Sequence, residues 1–165
     1  MWYIIKSKKN SAQTLKKNLQ EKLGLSTKFY EPIMKLTHKK KNKLFQKKVS
    51  LLNNYILCFH EKFCQMDIIN TIKNTEGLDL ILEGSKNNQT DINNFISTCK
   101  KHEDEEGFIQ SSYFNYHEGI EYRFLNGPLT NFLIKLTDVS KNSLEAIVGS
   151  MKVTVCKRKN FLEAV

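Results

Sequence analysis

Asn53-Asn54-Tyr55-Ile56-Leu57-Cys58-Phe59 places two turn-forming residues directly before five uninterrupted apolar ones. A run of that length, rich in aromatic and branched side chains, suits a strand at the centre of a sheet covered on both faces. Tyr55 and Leu57 then share one face and Ile56 and Cys58 the other, because side chains alternate along a strand. Upstream, Trp2-Tyr3-Ile4-Ile5 reads as a second buried strand. Ser11 can cap a helix whose stripe is Ala12, Leu15, Leu19 and Leu23, and Gly24 stands where such a helix stops. Residues 28–36 look extended, with Pro32 favouring an edge position, and a Lys-rich loop links them to a second extended piece around 44–50. A hairpin with a basic tip is expected there.

Downstream, Met66, Ile69 and Ile72 have helical spacing, Leu78 to Leu82 return to strand character after Gly77, and Thr90 or Asp91 can cap a helix carrying Ile92, Phe95, Ile96 and Cys99. The expected first domain, residues 1–101, is an α/β sandwich of mostly antiparallel sheet with flanking helices. Residues 102–118 open on an acidic run, His102-Glu103-Asp104-Glu105-Glu106-Gly107, and read as a linker. If flexible, it would span an r.m.s. ~20–25 Å. Residues 119–165 hold short strands between turns at 126–128, 138–142 and 149–150, which predicts a small β-barrel and an α+β chain overall.

Composition bounds the function. The chain has 165 residues with 40% hydrophobic content, enough for compact cores, and a formal net charge of +9. Its longest apolar stretches have about five residues against the roughly 20 of a bilayer-spanning helix, and five apolar residues before Lys6 do not read as a secretory signal. A cytoplasmic protein without a membrane partner is expected. Fourteen lysines against Glu21 and Glu31 lie in residues 1–50, so the basicity belongs to one region. The cluster around Lys39, Lys40, Lys41 and Lys43 suits phosphate-backbone contact, and equally a solvated loop. Cys58, Cys64, Cys99 and Cys156 form no C-x-x-C pair and read as reduced, core-type thiols. Cys58, His60 and Cys64 lack a fourth nearby ligand, so no metal and no cofactor is expected. Neither a phosphate-binding Gly-rich loop nor a nucleophile-base motif is present, which argues against an enzyme.

Four stretches in order carry a family resemblance. Met1-Trp2-Tyr3-Ile4-Ile5, Leu51-Leu52-Asn53-Asn54-Tyr55-Ile56-Leu57 and Ile72-Lys73-Asn74-Thr75-Glu76-Gly77-Leu78 resemble the N-terminal domain of NusG-family transcription elongation factors. Gly119 to Phe132, including Gly127 and Pro128, is similar to the KOW motif that follows in that family. Departures include Leu52-Asn53-Asn54 where the family has an aromatic-Pro-Gly or aromatic-Pro-Asn turn, and Asn131 and Ile134 in place of KOW glycines. Such changes suggest a divergent paralogue, and Asn54 matches the form associated with RfaH-like members.

The resemblance implies a binding protein that grips the clamp helices of RNA polymerase and reduces pausing. Leu52, Tyr55 and Leu57 match its polymerase-binding segment, although all three also fit an ordinary core. Lys8 and Lys9 match positions that approach non-template or upstream DNA, and the basic hairpin could reach the same phosphates. The KOW domain, a tethered second hand, would recruit a ribosomal small-subunit protein or Rho, with Gly127 and Pro128 building a turn. A monomer is expected. A ribosome- or RNA-associated binding protein is the competing reading, since small barrels with basic neighbours often contact RNA.

Overall fold

A computed structural model describes the chain from Met1 to Val165 apart from Lys41, Asn42 and Pro128, with the backbone alone described at His38, Lys39, Lys40, Leu44 and Arg158. The chain divides into two compact units, Met1–Pro32 with Ser50–Cys99, and Ile33–Val49 with Lys100–Val165. The chain as a whole is α+β. Among the described residues no helix is long and apolar enough to cross a membrane.

In the first unit, β1 (Trp2–Ser7), β2 (Lys28–Tyr30), β5 (Tyr55–Phe59) and β6 (Leu78–Ile81) form an antiparallel sheet in the order β2-β5-β1-β6. The Tyr55–Phe59 run is thus internal, and β2 takes the edge that Pro32 suggested. Pairing of Tyr3 with Cys58 and Ile5 with Ile56 sets one face, which α1 (Ala12–Leu23) and α2 (Met66–Lys73) cover. Leu15 and Leu19 from α1 and Ile69 and Ile72 from α2 join Ile5, Ile56 and Cys58 in the core. Burial of apolar surface at roughly 25 cal/mol per Å² is what holds these layers together.

Local chemistry fixes the joints. Gly24 closes α1 at φ +96°, donating its N–H to the Gln20 carbonyl at 2.8 Å. Ser11 precedes α1 as expected, yet its hydroxyl donates to the Lys9 carbonyl instead of capping the helix. Gly77, at φ +85°, passes so close to the start of α1 that a Cβ there would meet the Ser11 carbonyl oxygen at 3.2 Å. A side chain would therefore be strained both sterically and in its backbone. The third helix, α3 (Gln89–Lys101), begins one residue before the expected caps. The Gln89 amide pairs with both backbone groups of Trp2, accepting from its N–H at 2.9 Å and donating to its carbonyl at 2.7 Å. That long-range pairing, absent from any local pattern, fixes the N-terminal end of α3 against β1.

In the second unit, β3 (Ile33–Lys40) and β4 (Lys43–Ser50) flank the expected basic tip, whose Lys41 lies outside the described residues. They belong to a separate three-stranded sheet, because β3 pairs in parallel with β7 (Phe108–Ile109). The stretch read as a linker, 102–118, carries ordered structure. Asp104 accepts from the N–H groups of Glu106 and Phe108 through Oδ1, and its own N–H donates to the Phe108 carbonyl, so the acidic run folds into a tight loop. The ammonium groups of Lys35 and Lys48 stand 5.1 and 5.0 Å from the centre of the Phe108 ring, and Lys35 also pairs with Glu106 at 2.9 Å.

The remaining strands, β8 (Glu121–Phe124), β9 (Leu133–Val139), β10 (Ser143–Val148), β11 (Met151–Cys156) and β12 (Leu162–Ala164), form an antiparallel sheet ordered β11-β10-β9-β8-β12. All five strands feed one core, from Tyr122 and Phe124 through Ile134, Leu136 and Leu144 to Val155 and Leu162. Tyr116 joins that core and accepts from the Leu162 N–H through its hydroxyl, and burial pushes its pKa up to about 12.

The cysteines depart from expectation in part. Cys58 and Cys99 are buried, but Cys64 and Cys156 are exposed. Burial raises the Cys58 thiol to about 12, so it stays protonated and unreactive. A thiol reagent at about pH 8 is expected to modify Cys64 and Cys156 quickly in the folded chain and all four only after denaturation. Rapid modification of Cys58 in the native protein would contradict this arrangement.

Candidate functional site

The second face of the first sheet is only half covered. Strand register places Trp2 opposite Phe59, Ile4 opposite Leu57 and Lys6 opposite Tyr55, while Leu80 stands opposite Lys6 on the other side of β1. Against this face α3 packs Ile92 and Ile96 onto Leu57, with Trp2, Ile4, Leu52 and Phe95 at the margin of the cluster. Beyond Phe95 the sheet is left open. A hollow of about 510 Å³ results, with Ile4, Tyr55 and Leu57 from the sheet, Leu52 from the turn before β5, Leu82 just after β6, Asn88 just before α3, and Asp91, Ile92 and Phe95 from α3. Apolar side chains make up most of that lining, with Asp91 its one acidic group.

The three residues matched to polymerase binding all border this hollow but differ in access. Leu57 is 1% exposed and belongs to the sheet core, so it forms a floor rather than a contact. Leu52 and Tyr55 are half-buried and stand where a partner can touch them. Their turn is held by Tyr55 N–H donating to the Leu52 carbonyl at 3.0 Å and Leu52 N–H donating to the Ser50 hydroxyl at 3.2 Å. Asn53 within it sits at φ +54°, a conformation that asparagine tolerates and proline cannot reach. The turn thus differs in backbone conformation, not only in sequence, from one with proline at that place. Lys6 flanks Tyr55, its ammonium 6.0 Å from the ring centre and 2.9 Å from the Asp79 carboxylate. The hydrogen bond that Lys6 donates to Asp79, then the carboxylate's charge, raises the Lys6 pKa, so Lys6 remains a cation beside the hollow.

Sequence reasoning missed Ile4, Leu82, Asn88 and Asp91, and it treated Ile92 and Phe95 as plain core. A signal was present in the helical spacing of Asp91, Ile92 and Phe95, which puts an acidic residue beside apolar ones on one side of α3.

The candidate nucleic-acid residues fall in both units. Lys8 and Lys9 are exposed after β1, and Lys8 N–H is tied to the Gly77 carbonyl at 2.8 Å. Lys39 and Lys40 lie at the end of β3 and Lys43 is exposed at the start of β4, all in the second unit. Of the residues matched to a KOW motif by resemblance, Gly119 and Gly127 take φ +78° and +81°, with the Gly119 N–H donating to the Leu136 carbonyl and the Gly127 N–H to the Thr37 carbonyl. Phe132 is 53% exposed, and Pro128 lies outside the described residues. Asn131, at φ +71°, adopts the left-handed conformation that a glycine would take at no cost. Ile134 is a core residue opposite Tyr122.

Cys58, His60 and Cys64 do not converge. Cys58 points into the core, and the His60 Nδ1 accepts from the Lys62 N–H at 3.3 Å. Among the described residues no group of three or more His, Cys, Asp or Glu side chains could hold a metal ion.

The family described as "Transcription termination factor nusG" matches residues 1–95, which include every residue bordering the hollow. The chain belongs to the NusG family. It is therefore a transcription elongation factor of a non-enzymatic family that works with the transcription machinery. Among solved structures, the MjSpt4:Spt5 complex in conformation B is similar at 11% identity and a TM-score of 0.31, covering 100% of this chain and 98% of that one. The Thermotoga maritima NusG structure described for its domain interaction is similar at 11% identity and a TM-score of 0.34, covering 97% and 95%. Comparison with curated proteins finds no match.

Proposed function

We propose that this NusG-family protein binds the clamp helices of RNA polymerase through the hollow on its first sheet, favours the closed clamp and thereby reduces pausing and termination. The observation that carries this reading is the uncovered apolar face beside α3, bordered by Leu52 and Tyr55. An exposed apolar depression with few polar groups is costly to leave in water and suits insertion of aliphatic side chains from a partner helix. Binding of this kind acts by differential affinity: the factor shifts the clamp only as far as it holds one state more tightly than the other.

Within the same reading, Lys8, Lys9 and the hairpin lysines contact the phosphates of non-template or upstream DNA without reading sequence. The module spanning 119–165 recruits a second partner, a ribosomal small-subunit protein or Rho. The protein acts as a cytoplasmic monomer. Purified chain is expected to co-elute with RNA polymerase, and RNase treatment is expected to leave that complex intact. Association with ribosomes alone, abolished by RNase, would favour an RNA-associated role instead.

A further inference from the structure

The hairpin formed by β3 and β4 holds seven lysines and no acidic residue between Ile33 and Val49, whereas residues 100–165 balance nine acidic against nine basic side chains. The positive charge of the second unit thus comes from the hairpin. Two of its lysines have a structural role, since Lys35 and Lys48 both stand over the Phe108 ring. Lys43, Phe45 and Lys47 differ. They alternate along β4 and so share one face, all three are exposed, and Phe45 is exposed to 51%. Among the described residues the side chains of these three make no hydrogen bond or ion pair, so nothing in the fold requires an aromatic ring between two cations there.

A ligand matched to this face must offer negative charge on both sides of a flat apolar surface. Single-stranded nucleic acid does so at every nucleotide, because each base has a stacking face and each link a phosphate. A duplex offers the phosphates but keeps its bases stacked on one another, out of reach of a side chain on a strand. An acidic peptide supplies charge without a regular stacking face. Along a strand that rises roughly 3.3 Å per residue, Lys43 and Lys47 stand about 7 Å on either side of Phe45, within side-chain reach of the phosphates flanking one stacked base.

We propose that Phe45, flanked by Lys43 and Lys47, is a base-stacking position for single-stranded nucleic acid. The proposal rests on the reading of the hairpin lysines as phosphate contacts and adds to it a preference for unpaired strands. The test uses the full chain and fluorescence anisotropy with labelled oligo(dT), oligo(U) and a DNA duplex of equal length, at about 50 and 200 mM salt. Both single-stranded oligonucleotides are expected to bind more tightly than the duplex. Phe45→Ala is expected to weaken single-strand binding about tenfold while leaving duplex affinity and the salt slope unchanged. Phe45→Tyr should restore it and Phe45→Leu, equally apolar but without a ring, should not. Replacing Lys43 and Lys47 together by Gln should weaken both substrates and flatten the salt slope.

Unchanged single-strand affinity in Phe45→Ala, or full affinity in Phe45→Leu, would overturn the stacking role while the lysine result stands. If the double lysine variant changed neither substrate nor slope, the phosphate reading would fail and the proposal with it. Capture by anionic lipid vesicles that depends on Phe45, without binding to any oligonucleotide, would assign the face to a membrane surface and equally overturn it.

Discussion

Leu52→Asp, in a chain whose circular dichroism matches the parent, is expected to weaken binding to RNA polymerase at least 30-fold. Leu52 stands at the margin of the hollow, half-buried and in contact with the cluster of Leu57, Ile92 and Ile96. A carboxylate there must either stay hydrated and keep the partner out or be buried without a counter-charge, and Asp91, the one charged group among the described residues that line the hollow, would repel it. Central apolar anchors at interfaces typically contribute 2 kcal/mol or more, roughly a 30-fold change in affinity. Tyr55→Ala should produce a loss of similar size by removing the ring that flanks the hollow, without giving Lys6 a new acidic partner. Leu57 is not a useful probe, since a substitution on that buried floor would act on the fold first. Full polymerase binding by both folded variants would remove the hollow from the mechanism.

The second large effect concerns stability. Asn126 is 4% exposed, and its amide spans two segments: Nδ2 donates to the Lys159 carbonyl at 2.9 Å, and Oδ1 accepts from the Phe161 N–H at 2.8 Å. It thereby aligns the chain just before β12, where Leu125 N–H also donates to the Phe161 carbonyl at 2.9 Å. Asn126→Leu keeps the approximate volume and strands both backbone groups without partners. Each such group costs about 1–3 kcal/mol, against a total stability of about 5–15 kcal/mol for a domain. The melting midpoint of the second unit should fall by roughly 10–20 °C. Asn160→Ala, which removes an exposed bond to the Cys156 carbonyl, should cost far less. Equal losses in the two variants would show that the Asn126 clamp is not what holds β12.

The parts of this architecture that could be read in advance are those fixed by short-range pattern. Tyr55–Phe59 announces an internal strand because both faces of it are buried, and Leu15 and Leu19 mark the covered side of α1 at helical spacing. The hollow was only half legible. Leu52, Tyr55 and Leu57 were marked by family resemblance, but the α3 side was not, because an apolar stripe looks the same whether it faces a closed core or the edge of an opening. What decides is how far the helix extends across the sheet, and that depends on contacts such as Gln89 with Trp2, 87 residues apart. The hairpin illustrates the same limit. Residues 28–36 read as one extended piece with Pro32 at an edge, yet the stretch divides at Pro32 between two sheets, because the parallel partner of Ile33 is Phe108, far beyond any local window. Asn131 and Asn53 show a third kind of information, since a left-handed backbone is compatible with asparagine without being announced by it.

The hairpin is covalently interleaved with the first unit and packed with the second, so the chain crosses between them after Pro32, before Ser50 and after Cys99. Dissecting the gene at residue 101 would therefore not yield two intact halves. The front fragment would keep β3 and β4 while losing their partner strand β7, and the rear fragment would lose the lysines that stand over Phe108 and the Thr37 carbonyl that anchors Gly127. Complementation assays built on that cut would report the damage of an exposed sheet edge rather than the separate duties of the two parts.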